Sequence, residues 1–469
     1  MATATPVLDR AAALEYLHGR IDYERAQVMP YGNADLRLDR MRVLLARLGS
    51  PEAGLTIVHV AGTKGKGSTA AMIAAALTSC GVRTGLYTSP HLERVEERLA
   101  IDGVPCPADE LCELVRIVQP AVAQMDAETN AAPDAVGPTY FEILTALALI
   151  HFRRGGAKAA VLEVGLGGRL DSTNVCQPAV CAITSISFDH TQQLGNTLAE
   201  IAAEKAGIIK PGVPVISGVI EDEPRRVIVR IARQRRAPLV QTGGDFDFAY
   251  RPARRLDEAD RPAHLDFFDR RAGQECVWQN VALNLPGRHQ AANAAVALAT
   301  LSELRRQGWS LSEERVRAAL AALRWPARVE VVARRPTIVI DAAHNVASVD
   351  ALLATLADSF GGRKRRLIFA TTRDKDVRGM LARLLPRFDE VVLTRYRSNP
   401  RGVPVEQLDE LATELSATPC HVCPDPAVAL HVALEHTRAD DLLVITGSFF
   451  IAAEIGALLP AASKSAESL

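Results

Sequence analysis

The sequence predicts an α/β protein built from two domains, and three observations lead there. Strand-like apolar runs alternate with helical patterns on both sides of a break at Trp325-Pro326-Ala327-Arg328. Such alternation is what parallel sheets covered by helices produce. The chain has 469 residues, more than one hydrophobic core usually supports, so two domains are the default. Finally, Thr56–Ala61 reads as a buried strand, runs into a turn dense in glycine and lysine, and continues as a helix. That is the layout of a phosphate-binding loop. The expectation is an N-terminal P-loop domain over 1–325, with a mostly parallel sheet flanked by helices and a small β insertion near 245–283. A Rossmann-like α/β domain over 326–469 completes it.

Residues 8 to 48 have leucines and a methionine at helical spacing (Leu14, Leu17; Met41, Leu44, Leu45, Leu48), broken at Tyr31-Gly32-Asn33. After the loop helix, Cys80-Gly81 is a stop signal. Arg83 to Ser89 reads as the second strand, Arg98 to Asp102 as a short extra one, and 108–125 and 139–154 as helices. Lys158 to Gly165 is apolar on both faces up to Glu163, as a central parallel strand should be. Ala179 to Ser187 and Val213 to Ser217 repeat that pattern, with helices at 197–209 and 223–236. Residues 245–283 differ: aromatics alternate with charges (Phe246, Phe248, Tyr250), which predicts short antiparallel strands on the edge of the first domain. Helices at 289–305 and 311–324 close this half. Beyond the break, strands are expected at 337–342, 366–370, 390–394 and 442–446.

Composition narrows the function. Hydrophobic content of 48% with 23% charged residues is that of a soluble globular chain. A net charge of −1 argues against nucleic acid or an anionic membrane as the main partner. No secretory signal or membrane span is legible, so a cytoplasmic protein is expected. Cys420-His421-Val422-Cys423 is a lone C-x-x-C that reads as half a zinc site or a redox pair; no second C-x-x-C or H-x₃₋₅-H accompanies it, and chance is the better explanation.

The candidate chemistry sits at strand ends, where α/β sheets hold their ligands. Ser68, Ser89, Glu163, His190 and Asp341 all fall there. Polar strand ends also occur because they reach solvent; it is the set, with a P-loop among them, that points to a site. Small residues let backbone N–H groups approach phosphates, the helix start adds partial positive charge, and Lys66 adds a full one. Glu163 leaves an apolar strand, so it must be paired or metal-bound. Beside a nucleotide, Mg²⁺ is the stronger option. His190 is an unusual magnesium ligand and reads on chemistry alone as a general base or a satisfied histidine. Lys205 reads as a solvated helix lysine.

Gly62-Thr63-Lys64-Gly65-Lys66-Gly67-Ser68-Thr69 departs from the common P-loop spelling by the glycine between Lys66 and Ser68. In this it resembles the P-loop of the Mur ligase superfamily. Thr88-Ser89-Pro90-His91-Leu92, Thr139-Tyr140-Phe141-Glu142, Glu163 to Asp171, Glu204-Lys205-Ala206-Gly207-Ile208, Gly287 to Asn293 and Asp341-Ala342-Ala343-His344-Asn345 resemble one branch of it. That branch is the folylpolyglutamate synthases and the bifunctional dihydrofolate synthases. The resemblance runs in order from about residue 40 to 450. Departures are Lys64 where asparagine is common, Ser172 where alanine is, and Ala342 where glycine is.

The resemblance implies an ATP-dependent amide ligase joining L-glutamate to the carboxylate of a folate or dihydropteroate through an acyl phosphate. It implies that Thr63, Lys64, Gly65, Lys66, Gly67 and Ser68 hold the triphosphate, with Asn293, Arg328 and Asp341 on the nucleotide. Ser89, Glu163 and His190 would hold Mg²⁺, which replaces the general-base reading of His190. Lys205 matches the lysine that is carbamylated in the superfamily and would then be an oxygen ligand. Thr139, Tyr140, Phe141, Glu142, Leu170, Asp171 and Ser172 match the pterin side. Lys66, Lys205 and His344 are the candidate catalytic residues, with His344 near the phosphates or the glutamate. Nucleotide residues from both domains imply closure across Trp325–Arg328. Nothing demands a dimer, and a monomer is expected. Another Mur-type amide ligase, or a P-loop switch module without ligase activity, are the alternatives; the second would not need Glu163, His190, Lys205 and a second α/β domain together.

Overall fold

A computed structural model of the chain describes residues 9–23, 38–129, 136–271, 276–361 and 364–459. The break expected at Tyr31-Gly32-Asn33 lies outside them. Two compact units result. One comprises residues up to 247 with 268–276 and 293–319; the other comprises 248–267, 277–292 and 320 onward.

The first unit is built on an eight-stranded sheet. Its strands are β1 Thr56–Ala61, β2 Thr84–Tyr87, β3 Leu99–Ile101, β4 Val104–Pro105, β5 Ala159–Glu163, β6 Val180–Ile183, β7 Val215–Ser217 and β8 Leu239–Gln241. Their order is β4-β3-β2-β5-β1-β6-β7-β8. All neighbours from β2 to β8 pair in parallel, and β3 and β4 add an antiparallel edge. The central strands are apolar on both faces because helices cover both. One core gathers Tyr87, Ala160 and Leu162 with helices Ala108–Thr129 and Tyr140–Arg154; another gathers Ala61, Ile183 and Val215 with Leu198–Ala206 and Asp222–Gln234. Val60 lies level with Glu163 in the ladder, so the loop after β1 and the carboxylate ending β5 emerge side by side.

The second unit holds β12 Glu330–Arg334, β13 Thr337–Ile340, β14 Arg365–Phe369, β15 Glu390–Leu393, β16 Cys420–Val422 and β17 Leu442–Thr446, in the order β12-β13-β17-β14-β15-β16. Every pair is parallel except β12–β13. Three further strands, β9 Phe246–Arg251, β10 Ala263–Asp269 and β11 Cys276–Leu283, form a small sheet. Most of it groups with the second unit rather than with the edge of the first. One ion pair and one backbone hydrogen bond tie the loop between β9 and β10 to this unit: Arg334 to Asp260, and Leu256 N to Ser359 O at 2.9 Å. No described helix is long and apolar enough to cross a membrane.

Candidate active site

The loop after β1 is shaped by glycines with little room for anything else. Gly62 has φ +144°, and a Cβ there would lie 1.9 Å from Thr184 Oγ1. Gly65 has φ +82° and caps the helix Lys66–Ser79; a Cβ there would lie 2.0 Å from Asn293 Oδ1. Asn293 is thereby pressed onto the loop. Gly67 faces the carboxylate of Glu163, with a Cβ predicted to meet Oε2 at 3.2 Å. The loop is tied to the strand beside it. Thr63 Oγ1 donates to Ser187 O (3.2 Å) and accepts from Ser187 N (3.1 Å), and Thr184 Oγ1 donates to Lys64 O (2.6 Å). The helix beginning at Lys66 aims its free N–H groups and positive end into this loop, and Ser68 is buried in its first turn.

Glu163 is buried at the end of β5 and accepts from Ser89 N at 3.1 Å. Ser89 and Glu163 are thus brought together beside Gly67. His190 adopts a left-handed backbone (φ +49°), and its N–H donates to Asp189 Oδ1 at 3.0 Å. Asp189 also binds Lys64 Nζ at 2.6 Å. Sequence reasoning passed over Asp189, although it stands next to a singled-out histidine at a strand end. Among the described residues, Glu163, Asp189 and His190 are not drawn into one tight donor group; the two such groups lie elsewhere.

Lys205 is not a solvated helix lysine. It is 4% exposed, near the end of Leu198–Ala206. Burial lowers its pKa to about 7, assisted by Lys66 and Lys64 and opposed by Asp189 and Asp171. The loop Gly167-Gly168-Arg169 packs against this helix: a Cβ on Gly168 would lie 2.9 Å from both Glu204 O and Lys205 O. Arg169 N donates to Glu204 O, and Arg169 Nε binds Glu204 Oε1 at 2.9 Å. Two stretches far apart in sequence are therefore one structural piece.

On the expected pterin side, Thr139 and Glu142 cap the helix Tyr140–Arg154 reciprocally, and Arg40 Nε reaches Glu142 Oε2 at 2.8 Å. Asp171 accepts from Gly165 N, Leu166 N and Thr173 N, each at 3.0 Å, and from Thr173 Oγ1. Burial raises its pKa while these bonds hold it down. Both carboxylates organise local backbone. Phe141 lies over Gly165 and 5.8 Å from the Tyr87 ring, Tyr140 is buried, and Ser172 Oγ sits 2.9 Å from Thr145 Oγ1. Leu170 is half-buried in the same loop.

The second unit gathers its own set. Asp341, just past β13, accepts from Val329 N (2.9 Å) and Ala343 N (2.8 Å). Burial raises its pKa to about 6 against the pull of Arg328 and these backbone donors. Arg328 stacks on Phe449 (4.9 Å to the ring centre), and His344 lies 5.6 Å from the same ring with Nδ1 2.8 Å from Ala342 O. At the carboxyl ends of β14 and β15 is a group that sequence reasoning missed. Thr371 Oγ1, Thr394 Oγ1, Tyr396 Oη and Asn399 Nδ2 are buried without a hydrogen-bond partner. Buried polar atoms are normally satisfied, so these four, which follow the carboxyl ends of β14 and β15 in the chain, stand out as candidates for a polar ligand.

A P-loop beside a buried carboxylate and lysine, with a second parallel-sheet unit, defines a Mur ligase. The Mur ligase middle domain matches residues 116–301, and the Mur ligase glutamate ligase domain matches 327–449. The chain belongs to the folylpolyglutamate synthase/dihydrofolate synthase family. It is 33% identical to the dihydrofolate synthase/folylpolyglutamate synthase of Bacillus subtilis, covering 94% of this chain and 97% of that one. It is 38% identical to the Mycobacterium tuberculosis enzyme of the same description over 87% and 83%. Among solved structures, the M. tuberculosis folylpolyglutamate synthase complexed with ADP superposes with a TM-score of 0.85 at 34% identity, covering 96% and 99%. The E. coli FolC complex with DHPP and ADP gives 0.81 at 28%, covering 97% and 99%.

Proposed function

We propose that this protein is an ATP-dependent ligase that forms an amide between L-glutamate and the carboxylate of a folate or dihydropteroate. The observation that carries the reading is the P-loop with Glu163 against Gly67 and a buried Lys205 in range of Lys66. A carboxylate is a poor electrophile until one oxygen becomes a leaving group. The γ-phosphoryl of ATP is transferred to a carboxylate oxygen, giving ADP and an acyl phosphate. The amine of glutamate then attacks the acyl carbon, phosphate leaves, and the amine loses a proton. Backbone N–H groups at Gly65–Ser68 and the Lys66 ammonium face the charge that builds on the transferred group. Thr63 and Lys64 shape the same loop. Asn293 in the first unit, and Arg328 and Asp341 in the second, are the residues for the rest of the nucleotide.

Mg²⁺ fits the donors present. Glu163 is a buried hard-oxygen ligand, Ser89 lies beside it, and His190 is anchored by Asp189. Mg²⁺ would neutralise phosphate charge there. A pKa near 7 leaves much of Lys205 as free amine, the form that takes up CO₂, and a carbamate would turn a buried cation into an oxygen ligand. Phe141, Tyr140, Leu170 and Ser172 would meet the pteroyl group, with Thr139, Glu142 and Asp171 positioning them. The buried polar residues Thr371, Thr394, Tyr396 and Asn399 are suited to L-glutamate, and His344 to the phosphates or the glutamate. A monomer in the cytoplasm acting on free small molecules goes with this reading; light scattering that reads a dimer would count against the monomer.

The test is glutamate incorporation run in parallel with dihydropteroate and tetrahydrofolate. Product with either supports the ligase, and the two arms separate a monofunctional from a bifunctional enzyme. Lys66→Ala and Glu163→Ala should abolish glutamate-dependent ADP release, and Thr394→Val should raise KM for glutamate but not for ATP. Failure in both arms with folded protein would overturn the reading.

A further inference from the structure

The ligase chemistry leaves Cys420-His421-Val422-Cys423 unused. In the fold, Cys420–Val422 is β16, the edge strand beside β15. The thiols are engaged locally: Cys420 Sγ donates to Thr418 O, and Cys423 is buried. Strand alternation sends His421 to the opposite face from Cys420. There His421 Nε2 lies 2.5 Å from Glu390 Oε1, and His436 Nδ1 contacts the same oxygen. Three elements supply the groups: Glu390 opens β15, His421 is in β16, and His436 ends the helix Pro426–His436. The two rings meet edge-on, with centroids 5.0 Å apart at 75°, so their nitrogens converge rather than stack. Arg366 Nε holds the other oxygen of Glu390 at 2.9 Å, and Arg366 Nη1 binds Asp441 at 2.7 Å. Arg366 thus fixes the carboxylate with Oε1 toward the histidines, and Asp441 offsets the charge of Arg366. Outer partners of this kind orient metal ligands.

We propose that Glu390, His421 and His436 form a binding site for a divalent transition-metal ion of the zinc type. Two imidazole nitrogens and one carboxylate oxygen within 4.8 Å of one another are donors such an ion prefers. Three protein ligands leave a position for water. His421 and His436 are 38% and 42% exposed, so an ion enters from solvent without opening the core. Glu390 is at the amino end of its strand, away from Thr371 and Thr394 at the carboxyl ends. The ion therefore ties the end of a helix to the sheet edge rather than joining the ligase reaction.

The experiment is a Zn²⁺ titration of the full chain against a chelating dye, in excess Mg²⁺, with folding of each variant checked by circular dichroism. Among the described residues, Cys106, Glu110 and His151 form the other donor group, so the result is read as a difference between proteins. Wild type should bind one more Zn²⁺ than His421→Gln and His436→Gln, or bind it roughly tenfold tighter or more. Cys420→Ser and His431→Gln should match wild type. Zn²⁺ should raise the melting temperature of wild type and leave that of His436→Gln nearer its metal-free value. Substitution at His436, on an exposed helix end, is the variant expected to fold without difficulty. Equal zinc binding by wild type and both histidine variants would overturn the proposal. So would loss of the site in Cys420→Ser, which would move it to the thiols.

Discussion

At the scale of single residues, Gly67 and Lys205 carry the sharpest expectations. Alanine at 67 puts a methyl 3.2 Å from Glu163 Oε2, so the carboxylate must move by a few tenths of an ångström. Alanine also favours a helix over glycine by about 0.8–1 kcal/mol. Gly67→Ala should therefore keep or raise the melting temperature while raising the Mg²⁺ needed for half-maximal rate; unchanged Mg²⁺ dependence would refute the role given to Glu163. Lys205→Ala should lower the rate about a hundredfold if an oxygen ligand is lost. Acetate, which can stand in for a carbamate, should restore part of it, and ammonium should not. The glycine pattern and Glu163 were legible in the sequence because both break a local rule, a P-loop spelling and an apolar strand. The burial of Lys205 was not, since its neighbours on the helix are ordinary. Nor does the spelling around Asp171 and Glu142 reveal that their oxygens are occupied by nearby backbone N–H groups.

At the scale of elements, the stretch Asp341 to Asn345 divides its labour. Asn345 caps the helix Val346–Ser359, its side chain accepting from Ser348 N at 3.0 Å. Asn345→Ala should cost about 1 kcal/mol of stability and Asn345→Ser much less, read by urea unfolding. Equal losses would mean the side chain does something other than cap. Long apolar strands were readable from sequence, and β1, β5, β6, β13, β14 and β17 fall where expected. Four strands escaped. β4, β8 and β16 have two or three residues each, too short for a periodic signal, and β12 is half-exposed and spelled with Glu and Arg. The aromatic alternation at 245–283 was read correctly as strands. Its grouping with the second unit rests on long-range contacts that local pattern does not encode.

At the scale of the whole molecule, buried histidines should make the protein sensitive to acid. Burial, with help from Lys210, lowers His59 to about 3; burial and Arg328 lower His289 to about 4. Both are neutral when folded, whereas the unfolded chain takes up protons below about pH 6.5. Their contribution is present above that pH and is lost as pH falls toward 4 and 3, at about 1.4 kcal/mol per unit for each group. Asp341 acts in the opposite sense. With its folded pKa raised to about 6, its contribution is full below pH 3.8 and lost as pH rises through 6. Urea midpoints should fall from pH 6.5 to 4.5, and Asp341→Asn should steepen the fall; a flat profile would refute the assignment of neutral buried histidines. The order of the first sheet also sets a timetable. β1 and β2 are made first, yet both border β5 and neither borders the other. Until the ribosome has released residues 159–163, the nascent chain holds two apolar strands with no partner between them, the kind of exposed edge that aggregates. We therefore expect chains stalled before residue 159 to be protease-sensitive and chains stalled well beyond β6 to be protected, so that the speed of translation across this interval governs how much protein is recovered.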